Sequence, residues 1–156
     1  MDIATIRYGF TQRFRVPASV AYRWCTDFEP RDLELMREKG RRKIEHVSED
    51  TIILTDSFHA GEGREQVSKR KLVRLFPARM FWTNTHISGP NKHSQFLYQI
   101  TPEGRKTSKL EFLGQHVEYR SMSKADSNAL AKRLREEDSS AWKLLAKAME
   151  RELVSH

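Results

Sequence analysis

The sequence of 156 residues holds one cysteine, Cys25, so an intrachain disulfide is excluded and cytoplasmic residence is the simplest expectation. No stretch approaches the run of about 20 apolar residues that a membrane helix needs. The opening MDIATIRYGF lacks the basic flank, apolar run and small-residue cleavage site of a secretory signal. A phosphate-cradling glycine loop, a dinucleotide fingerprint and a G-x-S-x-G elbow are all missing, so no cofactor is expected from motifs. No repeat, low-complexity segment or linker divides the chain, which reads as one unit over residues 1–156, a length that fits one domain.

An excess of acid is also lacking. There are 28 Lys+Arg against 21 Asp+Glu, a net charge of +7. Residues 37–43 (REKGRRK) and 64–79 (REQVSKRKLVRLFPAR) hold much of that excess, while 124–153 is nearly balanced. One reading is a solvated basic face; the other is an anionic partner, RNA or an acidic membrane, held through Lys69, Arg70, Lys71, Arg74 and Arg79. A reader of single strands usually interleaves aromatics with its charges as stacking platforms, and between Arg64 and Arg79 the sequence offers Phe76 alone.

What the sequence does have is alternation. In TIRYGFTQRFRV, Ile6, Tyr8, Phe10, Phe14 and Val16 share one parity and Arg7, Thr11, Arg13 and Arg15 the other, the pattern of a half-buried strand that Pro17 ends. Ser19 then suits the N-cap of a short helix carrying Val20, Trp24 and Phe28, closed by Asp27 and Pro30. A second short helix is expected from Arg31 to Lys39, with Leu33 and Met36 inward and Gly40 as its stop. Six runs rich in β-branched and aromatic residues follow, from RRKIEHVS to TSKLEFLGQHVEYR. Turn signals at Glu49-Asp50, Ala60-Gly61-Glu62-Gly63, Phe76-Pro77-Ala78, Gly89-Pro90-Asn91 and Pro102-Glu103-Gly104 separate them, so antiparallel hairpins are expected.

From Ser123 to about Leu153 the spacing predicts one long helix, with a cap-like Ser123 and Asp126 at its start. Leu130, Leu134, Ala141, Leu145, Ala148 and Met149 form its apolar stripe, with Trp142 beside it. Glu136-Glu137-Asp138-Ser139-Ser140 interrupts that stripe. A seven-stranded sheet with one apolar face must cover it, and this helix, about 45 Å long at 1.5 Å per residue, is the element long enough. One stripe cannot fill a curved sheet, so a cavity between them is expected.

These features resemble the START/birch-pollen-allergen superfamily, also called SRPBCC, over nearly the whole chain. FRVPASVAYRWCTDF resembles its first strand running into a helix, while FPARMFWTNTHISG and FLYQITPEGRKTSKLEF resemble its last hairpins. The resemblance implies an α+β helix-grip fold: a curved antiparallel sheet of seven strands around a long C-terminal helix, with two short helices between the first and second strands. It also implies a pocket for a small hydrophobic ligand of lipid or polyketide type, carried or sensed, or else acted on by a cyclase or dehydratase. Strand parity lines that pocket with Leu54 and Phe58, with Phe96, Tyr98 and Ile100, and with Leu110, Phe112 and His116. Trp82 and His86 join them, although Phe81 and Ile87 occupy the opposite set of the same strand. Trp24, Phe28, Leu134, Ala141 and Leu145 close the helical sides.

Chemistry is sparser. His46, His59, His86, His93 and His116 fall on different runs without an HxxxH or CxxC pair, so no metal site is expected. Cys25, beside Trp24, reads as a small buried hydrophobe. The candidates for general acid–base work are His86, His116, Tyr98 and Asp56, together with the acidic break in the long helix. The favoured reading of these groups is that they orient a ligand or satisfy one another.

Overall fold

The computed structural model describes residues 2–36, 39–59 and 66–154. The chain forms β1 (Ala4–Phe14), α1 (Ala18–Cys25), α2 (Arg31–Leu35), β2 (Gly40–Ser48), β3 (Thr51–His59), β4 (Gln66–Phe76), β5 (Phe81–Ser88), β6 (Gln95–Pro102), β7 (Ser108–Glu118) and α3 (Lys124–Val154). The strands make one antiparallel sheet in the order β1-β7-β6-β5-β4-β3-β2. β2 to β7 are a plain meander, and β1 closes onto β7 along its whole length, from Ala4 opposite Glu118 to Phe14 opposite Ser108. The sheet curves around α3, with α1 and α2 between its first and second strands.

Alternation explains the inner face. Ile6, Tyr8 and Phe14 of β1 are buried while Arg7 and Arg13 are exposed. On β5 the ambiguity of parity is resolved: Trp82 and His86 are buried inward, and Phe81 turns to the other side, where its ring lies 5.5 Å from Phe76. The core beneath α1 and α3 joins Phe14, Trp82, Ile100 and Leu110 to Ala21, Leu145 and Met149. Full burial of one such large side chain contributes about 1.5–3 kcal/mol.

The helix starts and stops follow specific local contacts. α3 is capped as its sequence suggests, with Ser123 Oγ accepting the Asp126 amide at 3.0 Å. α1 begins one residue before the expected cap. Pro17 takes the N-cap position with an extended backbone (φ −59°, ψ 151°), and Ser19 falls inside the helix. Proline pre-sets φ there and has no amide to leave unpaired. α2 ends at Leu35, short of the expected Lys39; residues 37 and 38 lie outside the described set.

Gly40 opens β2 and does not stop a helix. A Cβ at that position would sit 2.6 Å from the Phe58 ring and 2.7 Å from the Ser57 carbonyl, so glycine lets Phe58 cross the neighbouring strand. The expected turn Ala60-Gly61-Glu62-Gly63, with Arg64 and Glu65, lies outside the described residues.

Candidate functional site

Between the sheet and α3 lies a cavity of about 600 Å³. The sheet contributes Leu54, Phe58, Trp82, His86, Phe96, Tyr98, Phe112 and His116 to its wall, α3 contributes Leu134, Ala141 and Leu145, and Phe28 closes it from the loop between α1 and α2. Trp24, Ile100 and Leu110, expected at the same wall, lie in the solid core. Ile100 and Leu110 are paired across β6 and β7 and share a core cluster with Ala18, Ala21 and Tyr22 of α1. Trp24 turns toward the end of α3, where its indole N–H donates to Glu152 Oε2 at 2.8 Å. Strand parity identifies a face but not the point along a strand at which a helix covers it.

The wall is aromatic. Trp82 and Tyr98, directly paired across β5 and β6, stack with centroids 4.7 Å apart and planes within 2°. Phe96 stacks on Phe112 at 5.9 Å, and Trp142 tilts over both Trp82 and Tyr98. Such plates suit the flat face of a ring-bearing molecule.

One end of the cavity is cationic, and the sequence pattern did not reveal it. Asp56, fully buried, accepts two hydrogen bonds from Arg42 (Nε to Oδ1, 2.7 Å; Nη2 to Oδ2, 2.9 Å) and one from Lys71 (Nζ to Oδ2, 2.8 Å). Burial pushes the Asp56 carboxyl up, but the bonds from Arg42 and the charge of Lys71 outweigh it, so its pKa lies below the usual carboxylate range. Asp56 therefore stays ionised as an anchor for two cations, which suits it poorly to proton transfer.

The register explains the cluster. Arg42 lies opposite Asp56, Leu54 opposite Lys71, and Lys71 opposite His86. The basic run is thereby split: Lys69 and Lys71 line the cavity, whereas Arg70, Arg74 and Arg79 are exposed. Period two along β4 was the signal that could have found this.

Asp32 of α2 also reaches the wall, its Oδ2 4.0 Å from Arg42 Nη1. Burial, reinforced by the charge of Asp27, pushes its carboxyl up to about 7 against the pull of Arg42. No sequence pattern marked Asp32.

The other end is acidic. The Tyr8 hydroxyl donates to Asp138 Oδ2, and Glu137 lies beside it on the wall. The interruption in the apolar stripe of α3 thus faces the cavity. Burial, with the Asp138 charge behind it, pushes the Tyr8 phenol far up, so it remains a donor. Gly114 makes room for it, because a Cβ there would meet the Tyr8 ring at 2.8 Å.

Near the cationic end, His86 Nδ1 and Asn84 Oδ1 are buried without a hydrogen-bond partner among the described residues. Burial pushes His86 down to about 3, with Lys71 and Lys69 adding to the depression and the Pro90 carbonyl opposing it. The imidazole is neutral at ordinary pH, able to donate from one nitrogen and accept at the other. His116, also buried, is 2.8 Å from Glu118 Oε1 through Nε2. Tyr98 is pushed up by burial and by the Asp138 charge, while Arg42 pulls it down. Its phenol therefore feels both ends of the cavity. Burial likewise pushes the Cys25 thiol up, which leaves it protonated and unreactive.

Seven antiparallel strands closed around a long last helix, with two short helices after the first strand, match known structures along nearly their whole length. The fold is the helix-grip fold. The chain superposes on the Zhui aromatase/cyclase from Streptomyces sp. R1128 with a TM-score of 0.76 at 10% identity, covering 95% of both chains. A START superfamily protein from Mycobacterium smegmatis gives 0.74 at 14% identity, covering 94% of this chain and 98% of that one. Norcoclaurine synthase from Thalictrum flavum, in complex with dopamine and hydroxybenzaldehyde, gives 0.66 at 12% identity, covering 96% and 88%. At the level of sequence, no family model and no curated protein matches. Among the described residues, no helix is long and apolar enough to cross a membrane.

Proposed function

We propose that this protein binds a small, largely apolar, ring-bearing molecule in the cavity between sheet and α3, as a carrier or sensor. The carrying observation is the cavity itself. Its volume of about 600 Å³ falls in the range of small-molecule sites, and an aromatic wall with a few convergent polar groups is what such sites use. The fold neighbours include an aromatase/cyclase and a synthase held with two aromatic compounds, which supports the same class of ligand. Native mass spectrometry after a pull-down from lipid and aromatic extracts tests the reading. A retained apolar compound is expected; no retained compound, together with no saturable dye site, overturns it.

One observation favours a second reading, a cyclase- or dehydratase-like enzyme. Asp32, its carboxyl pushed up to about 7, lies on the cavity wall and is poised to exchange a proton near neutral pH. His86 and Tyr98, each held in one protonation state, then serve as hydrogen-bonding groups toward the substrate. A pH–rate profile with a limb near 7 that disappears in Asp32→Asn supports this reading, and turnover unchanged in that variant removes it.

Cytoplasmic residence accompanies both readings, on the ground of the single, buried Cys25. A contact of the outer face with RNA or an acidic membrane, through the exposed Arg70, Arg74 and Arg79, is a separate proposal whose affinity must fall steeply with salt.

A further inference from the structure

The basic strand of this protein turns two of its lysines inward, and that placement says something about the ligand's polarity. We propose that the molecule bound in the cavity carries a carboxylate, seated against Lys71 and Arg42, with its apolar body lying along the stacked Trp82–Tyr98 wall. The inference rests on the ligand-binding reading above and adds the chemical class and the orientation.

The donor inventory points to an anion. Both oxygens of Asp56 are already taken by three donors from Arg42 and Lys71. Asp56 is the hydrogen-bond partner of Lys71 Nζ, and the ammonium has three donors, so two N–H groups remain for an acceptor at the wall. His86 stands directly opposite Lys71 on the next strand. A carboxylate in front of Lys71 accepts from its two remaining N–H groups, and such charge-assisted bonds are the strong ones; the one N–H of the neutral His86 ring is held by the Pro90 carbonyl. The far end fixes the direction. Asp138, hydrogen-bonded to Tyr8 at that end of the wall, would repel an anionic head, which favours the orientation toward Lys71. The sheet therefore presents a cavity with polarity along its length, cationic under β2–β4 and acidic under the middle of α3.

The experiment compares 1-pyrenebutyric acid with 1-pyrenebutanol, which share a body and differ in the head. Quenching of tryptophan emission reads occupancy, because Trp82 and Trp142 line the cavity. The acid is expected to bind roughly tenfold tighter or better than the alcohol, the worth of one hydrogen bond to a charged group. In Lys71→Met, that preference collapses to within about threefold, and Lys71→Arg restores it. The wild-type ratio needs no variant, so a misfolded Lys71→Met leaves the comparison intact. Equal binding of acid and alcohol by the wild type, or an unchanged ratio in a folded Lys71→Met, overturns the head-group assignment while leaving the cavity reading standing. Saturable binding of neither compound overturns both.

Discussion

The Tyr8 hydroxyl on β1 donates to the Asp138 carboxylate on α3, a contact between residues 130 positions apart. It ties the first strand to the last helix at the acidic end of the cavity. Tyr8→Phe removes the donor and leaves a partly buried carboxylate short of one bond. A loss of about 1–3 kcal/mol is expected in urea unfolding, the cost of an unsatisfied buried group. A change within error would mean that Asp138 is well solvated.

Gly114 tests the same contact from the other side. A methyl at this position meets the Tyr8 ring at 2.8 Å and Phe112 at 3.1 Å. Gly114→Ala should displace Tyr8 and destabilise the fold by about 1–3 kcal/mol, as overpacking does. Added to Tyr8→Phe, it should cost less than it does alone, if the two act on one contact; full additivity in the double-mutant cycle contradicts the link.

Asp56 and Asp32 should respond to pH with opposite signs. The Asp56 pKa is depressed in the fold, so its contribution is present above the unfolded value near 3.8 and is lost as pH falls through the folded value. Asp56→Asn leaves Arg42 and Lys71 without their anion and should cost about 3–5 kcal/mol at pH 7, measured by denaturant unfolding. That deficit should shrink toward strongly acid pH.

For Asp32 the folded pKa is raised to about 7, so the fold binds a proton that the unfolded chain has released. Stability should therefore fall as pH rises from about 4 to about 7 and level off above that. Asp32→Asn removes the penalty, with a gain on the order of 3 kcal/mol at pH 8 and little change near pH 4. A pH-independent difference between the two proteins rules out the shift.

Ala141 sits on the cavity wall opposite the aromatic plates and is partly buried. Ala141→Phe should fill space that a ligand needs. Affinity for a pyrene probe is expected to drop roughly tenfold or more while the thermal midpoint stays level or rises, since cavity-filling commonly stabilises. Loss of stability with undiminished binding would place the ligand elsewhere.

Much of the fold was legible in local pattern. Ile6, Tyr8 and Phe14 alternate with arginines because a strand's side chains point to opposite faces, and the stripe from Leu130 to Met149 recurs at helical spacing because one face of a long helix had to be buried. Those periods are local geometry, so seven strands, two short helices and one long helix followed in order. The turns among the described residues were legible for the same reason, and Ser19 fell inside α1 because the helix starts at Ala18, with the φ of Pro17 pre-set at the cap position.

The site was legible only in part. Parity put Phe96, Tyr98, Phe112 and His116 on the inner face, but it could not separate cavity wall from packed core, and Ile100 and Leu110 fell in the core. The basic run looked like surface, because composition has no inside. Pairing across β2, β3, β4 and β5 brought Arg42, Asp56, Lys71 and His86 together from positions spread over 45 residues. The sequence by itself determined which elements form and which residue types share a face, since those depend on neighbours a few positions apart. The tertiary structure alone decided that the lysines of β4 would turn inward, that Tyr8 would meet Asp138, and which inner-face residues would line the expected cavity, because strand register and helix placement are long-range quantities that no local period encodes.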